Sequence, residues 1–76
     1  MNSAIKALVD RWPSSLVARA EAGKFSGGAI RGRYLANLDS AGQGPSGAFR
    51  IGGKVVYPAT NLAEWLDSRA RPLRDK

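Results

Sequence analysis

Apolar residues recur at helical spacing from the start of the chain. Ile5, Leu8, Val9 and Trp12 fall at i, i+3, i+4 and i+7, one stripe of a helix over about residues 4–12. Ser3 is placed to cap it and Pro13 to end it. So short a helix is marginal by itself and must dock on the rest. Leu16 and Val17 lead into a second helix, about Ala18 to Lys24, with Ala20 on the same side, and Phe25-Ser26-Gly27-Gly28 breaks it. Ile30, Tyr34, Leu35 and Leu38 give a third helix, about Ile30 to Ala41, with Gly42 as its C-terminal cap. Helix, short glycine turn, helix is the sequence shape of a helix-turn-helix.

A glycine-rich loop, Ala41–Gly47, precedes two short strand patterns, Ala48–Ile51 and Val55–Tyr57. A three-residue loop, Gly52-Gly53-Lys54, sets Ile51 opposite Val55 and Phe49 opposite Tyr57. A two-residue loop sets Ile51 beside Lys54 and divides the apolar set, so the three-residue register is expected. The last helix runs from about Thr60 to Arg69 on a stripe of Leu62, Trp65 and Leu66. Thr60 or Asn61 is its expected cap, with Glu64 completing a capping box on Asn61. Pro72 lies beyond its end, and the tail, residues 71–76, is expected to fray. The order is helix, helix-turn-helix, two-stranded hairpin, helix. This predicts a mostly helical α+β fold, a small winged helix-turn-helix, as one domain over residues 1–76, with residues 1–15 as an extra N-terminal helix.

Charge sharpens this picture. Twelve Lys and Arg face six Asp and Glu, a net charge of +6, and the pI is about 10.6. Residues 31–57 are the most basic stretch, with Arg31, Arg33, Arg50 and Lys54 against Asp39 alone. A small domain with this pI has the electrostatic footprint of a nucleic-acid binder, although a modest net charge also serves solubility. The sequence has no His and no Cys. That argues against a disulfide scaffold, a zinc site, an imidazole base and a Cys nucleophile. No apolar run approaches the ~18 residues of a membrane span, and no secretory signal is recognisable. Of the six acids, Asp10, Glu21, Asp39, Glu64, Asp67 and Asp75, Glu64 and Asp67 lie three apart on one helix but read as ordinary surface charges, and no Ser has a base partner. The expectation is a cytoplasmic, nucleoid-associated, non-enzymatic protein with no cofactor, metal, membrane or small-molecule substrate.

Candidate chemistry lies on the third helix and the hairpin. Arg33, Ala36, Asn37 and Ser40 share the helix face opposite Leu35 and Leu38. A solvated face usually mixes Glu with Lys. This one has short polar groups and one Arg, without an acid. Arg pairs with guanine and Asn with adenine in the major groove, while small residues let a helix approach. Arg33, Asn37 and Ser40 are therefore the candidate base readers. Arg31, in the first helical turn, opposes the helix dipole and is a candidate phosphate ligand. Tyr34 reads as core with its hydroxyl at the rim. Arg50 and Lys54 flank Gly52-Gly53 as a thin basic loop suited to DNA backbone or the minor groove. Trp12, Phe25, Phe49, Tyr57 and Trp65 read as core, which disfavours single-stranded nucleic acid. Gly42, Gly44 and Gly47 spell G-x-G-x-x-G, but a helix precedes and a strand follows, the reverse of a dinucleotide site.

The stretch Phe25–Arg69 resembles the small excisionase-like, MerR-type winged helix-turn-helix proteins of prophages and integrative elements. The resemblance rests on FSGG (Phe25–Gly28), YLANLDSAGQGP (Tyr34–Pro45), FRIGGKVVYP (Phe49–Pro58) and LAEWLDSR (Leu62–Arg69). Its most diagnostic feature is the glycine-rich loop followed by R-I-G-x-K-V-x-Y. Family members often carry a base where Gly53 stands here, and a Thr, Ser or Asp where Ala18 stands.

The resemblance implies double-stranded DNA binding by the third helix with the hairpin as wing. It also implies roles in excisive recombination beside an integrase, by bending attachment-site DNA, and in transcription regulation. One small module covers only ~600–1,000 Å² of DNA-facing surface, so repeated sites and self-association on DNA are expected. The competing expectation is a protein-interaction adaptor or antirepressor acting on an integrase or host regulator, with Ile5, Leu8 and Trp12 supplying the contact.

Overall fold

The computed structural model describes residues 1–74. The fold is α+β. Helix α1 (Ser3–Arg11) leads to strand β1 (Leu16–Ala18), a 3₁₀ turn (Arg19–Glu21), helix α2 (Ala22–Phe25) and helix α3 (Gly32–Ser40). Strands β2 (Phe49–Ile51) and β3 (Lys54–Pro58) follow, then helix α4 (Ala59–Arg69). About half of the residues are helical, and the three strands form one antiparallel sheet in the order β1-β3-β2.

The third strand is a departure from the sequence pattern. Residues 16–18, expected to lead into and begin a helix, instead pair with β3: Leu16 with Pro58, Val17 with Tyr57 and Ala18 with Val56. The reason is tertiary. Val17 becomes fully buried in the pairing, and a β-branched residue suits a pleated, buried surface. The expected second helix shrinks to the 3₁₀ turn and the single turn of α2, and Ala18 gives it no side-chain cap.

The ends of α1 follow local chemistry. Asn2, not Ser3, caps it by accepting from the Ala4 N–H at 2.7 Å. Trp12 is extended at φ −73°, ψ 131°, as a residue before proline prefers. The helix docks through Asn2 N–H to Asp67 Oδ1, 2.9 Å, and through Ile5, Leu8, Val9 and Trp12 against the core. Trp12 meets Phe25 edge to face at 5.4 Å and donates to the Leu16 carbonyl at 2.8 Å.

Helix α3 starts two residues later than expected, at Gly32, with Arg31 as N-cap rather than in the first turn. Ser26 holds back the preceding residues: its Oγ accepts from the Ile30 N–H at 3.0 Å. Gly32 tolerates a contact that no other residue can. A Cβ there would lie 2.7 Å from the Arg19 carbonyl oxygen. The other end closes as expected. Gln43 N–H reaches Leu38 O at 2.8 Å and Gly42 N–H reaches Asp39 O at 3.1 Å, the bonding of a Schellman cap.

The hairpin register also departs from expectation. Phe49 pairs with Val56, Arg50 with Val55, and Ile51 with Lys54. The loop is Gly52-Gly53 alone. Gly52 has φ +60°, the requirement at the first position of a two-residue type II′ turn. The division of the apolar residues that argued against this register is real: Phe49 and Ile51 are 45% and 55% exposed. Phe49 is therefore not a core residue.

Neither Thr60 nor Asn61 caps α4, which begins at Ala59 after Pro58 without a side-chain cap. Ala59 N–H instead donates to Ser15 O at 2.8 Å, and Asn61 Nδ2 donates to Ser46 O at 3.0 Å. The core gathers Val17, Phe25, Leu35, Tyr57, Leu62 and Leu66 between the sheet and the helices, with Ala22, Ala59 and Ala63. Residues 70–74 beyond α4 are exposed. The end of the expected tail, with Asp75, lies outside the described residues.

Candidate functional site

One side of the fold presents the outer face of α3 beside the inner edge of the hairpin. Leu35 is fully buried and holds α3 down. Its opposite face then turns outward: Arg33, Asn37 and Ser40 are exposed and Ala36 is half-buried. The 3.6-residue period thus orients these side chains as the sequence pattern predicts.

An open hollow of about 450 Å³ lies between this face and the hairpin. Arg33 and Ala36 line it from α3, Arg50, Lys54 and Val55 from the hairpin, and Gly53 from the loop tip. A second hollow of about 390 Å³ adjoins it, lined by Gly28, Arg31, Arg33, Tyr34 and Asn37. Arg33 belongs to both. The surface therefore carries five bases: Arg31, Arg33, Arg50 and Lys54, all exposed, and the half-buried Arg19. No carboxylate lines either hollow. Ser40 and Gly52 are exposed but line neither.

Asp39, the one acid of the basic stretch, is engaged elsewhere. Arg19 Nη2 donates to its Oδ2 at 2.5 Å, and Tyr57 Oη donates to the same oxygen at 2.7 Å. Arg19 Nε donates to Tyr57 Oη at 3.0 Å. Among the described residues this is the single ion pair within 4.0 Å. The triad ties the 3₁₀ turn, the end of α3 and β3 together, and so fixes the angle between α3 and the hairpin. The hydrogen bond it donates to Tyr57 is the chief reason that the Arg19 guanidinium is held above its ordinary value; desolvation opposes it, and the bond to Asp39 adds to it. Burial pushes the Tyr57 phenol up, and Arg19 pulls it back only in part.

Tyr34 departs from its expected place. It is 43% exposed rather than core, because Leu35 takes the buried position on α3. Its hydroxyl does lie at the surface, where it accepts from Arg69 Nη2 at 2.9 Å. Arg69 also stacks over Trp65, 4.6 Å from the ring centroid. Arg69 thus adds a cation beside Tyr34, and Arg19 anchors the whole surface. Neither was singled out from sequence. For Arg19 a signal existed: a lone acid amid bases invites a basic partner. The partnership of Arg69 with Tyr34 spans 35 positions and has no local signal.

Comparison with protein-family models, with curated proteins and with solved structures finds no match to this chain.

Proposed function

We propose that this chain is a non-enzymatic, sequence-specific double-stranded DNA-binding protein with a winged helix-turn-helix arrangement. In this reading α2, the glycine turn and α3 form the helix-turn-helix, and the β2–β3 hairpin is the wing. Its biological role is excisive recombination as a directionality factor, transcription control of a mobile element, or both. The observation that carries the proposal is the convergence of Arg33, Arg50 and Lys54 on one open hollow without a facing carboxylate. A slim helix face flanked by a basic loop suits a major groove with its adjoining backbone. Arg33, Asn37 and Ser40 read base edges. Arg31, Arg50 and Lys54 hold phosphates or enter the minor groove, with the tip glycines Gly52 and Gly53 allowing close approach. Tyr34 donates its remaining hydroxyl proton to a phosphate, beside Arg69.

The test is a titration of the chain onto labelled duplexes from its own genetic neighbourhood, with footprinting, across a salt series. Four to six phosphate contacts give a log–log salt slope of about −4 to −5, at ~0.9 per phosphate. Footprints are expected on repeated sites with bending as they fill, and an integrase is expected to extend them. Absence of binding at low salt to any duplex overturns the proposal. That outcome favours the competing reading, a protein adaptor or antirepressor, which the exposed Phe49 and Ile51 support.

A further inference from the structure

The antiparallel register sorts the sheet side chains onto two faces. Val17, Arg50, Val55 and Tyr57 share one, and it carries the hollow shared with α3. Leu16, Ala18, Phe49, Ile51, Lys54 and Val56 share the other. On that second face Phe49 is 45% and Ile51 55% exposed. Beside it lies an open hollow of about 510 Å³, whose apolar wall includes Trp12, Leu16, Ala18 and Val56. Arg11 and Lys24 also line it, against one carboxylate, Glu21. Among the described residues none of Arg11, Lys24 and Lys54 has a carboxylate within 4.0 Å.

We propose that this outer sheet face is a docking surface for an acidic, apolar segment of a partner protein. An apolar centre with an aromatic residue and a charged rim is the anatomy of a protein interface. Apolar rings in the middle of the patch gain little from phosphates. The rim selects the sign of the partner, since three bases outnumber one acid. It also argues against a second copy of this chain: a two-fold contact sets like patches against each other, and here that opposes cations with cations. Arg50 projects from the opposite face of the sheet, whereas Ala18 and Lys54 also line the α3 hollow, so the two surfaces meet along that edge. The inference stands whether or not α3 binds DNA.

The test is an NMR titration of the ¹⁵N-labelled full chain with three synthetic twelve-residue peptides: alternating Leu and Glu, alternating Leu and Lys, and alternating Ser and Glu. The Leu–Glu peptide is expected to shift the amides of Leu16, Ala18, Phe49, Ile51 and Val56. It should bind at least ten-fold more tightly than either control. The pair Phe49→Ser/Ile51→Thr should lower its affinity at least ten-fold while circular dichroism shows the chain still folded at the titration temperature. Arg11→Glu/Lys24→Glu, which leaves the sheet untouched, should do the same. Equal affinity for the Leu–Glu peptide and either control overturns the proposal. So do shifts confined to α3, unchanged affinity in both variants, or a sedimenting dimer that Phe49→Ser/Ile51→Thr abolishes.

Discussion

Asp39→Ala probes the device that holds the candidate surface in shape. The substitution removes two charge-assisted hydrogen bonds, from Arg19 at 2.5 Å and from Tyr57 at 2.7 Å. It leaves Arg19 without a counter-charge and the Tyr57 proton without its acceptor. The paired side chains are 27% and 22% exposed, between the two measured regimes. Exposed pairs are worth about 0.2–1 kcal/mol, whereas breaking a fully buried pair costs about 3–5 kcal/mol. A loss of about 2 kcal/mol is expected. For a domain of this size that lowers Tm by roughly 8–16 °C, at about 4–8 °C per kcal/mol. Thermal and urea unfolding followed by circular dichroism measure it. Tyr57→Phe removes one arm of the triad and keeps the ion pair, so its loss should be smaller. The double variant should lose less than the sum, with a coupling above about 0.5 kcal/mol. A loss for Asp39→Ala below about 0.5 kcal/mol refutes the reasoning, because the pair would then behave as a solvated surface contact.

Four further outcomes are expected. Asn37→Ala should bring specific and random duplex affinities closer together, whereas Arg50→Ala should weaken both alike; competition binding against random DNA separates the two. Gly32→Ala should lower stability by about 1–3 kcal/mol, because its Cβ meets the Arg19 carbonyl oxygen at 2.7 Å and one element must shift. Gly53→Arg should tighten DNA binding and steepen the salt slope by ~0.9, since the position has open space around its Cβ and no positive φ. Stability should fall in alkali: the Tyr57 phenol lies above its ordinary value, so the folded state disfavours the phenolate. That contribution is intact below about pH 10 and is lost as pH rises through the raised value. Tyr57→Phe should remove this part of the alkaline fall in a pH series of urea titrations.

Periodicity alone determined the long elements. The stripes Ile5–Trp12 and Leu62–Leu66 place α1 and α4, and the burial of Leu35 dictates that Arg33 and Asn37 turn outward. The glycine cap at Gly42 and the extended residue before Pro13 are equally local, because each depends on backbone sterics within a few residues. Four bases in residues 31–57 likewise made the charged surface legible before any fold was known.

Tertiary structure decided the rest. Leu16–Ala18 has no intrinsic reason to be a strand; β3 supplies the pairing that buries Val17, and that gain outweighs a weak helical preference. Apolar alternation alone favours Ile51 opposite Val55, but a Gly-Gly turn closes without strain at two residues and sets the hairpin register. The two-residue register leaves Phe49 and Ile51 exposed and so creates the outer face. Asp39, Arg19 and Tyr57 come from three separate stretches of chain, and their union neutralises the one acid that would otherwise face the cationic surface. Local steric rules act over a few residues and can be read in order, whereas a shared proton or a strand pairing exists only once distant parts of the chain have met.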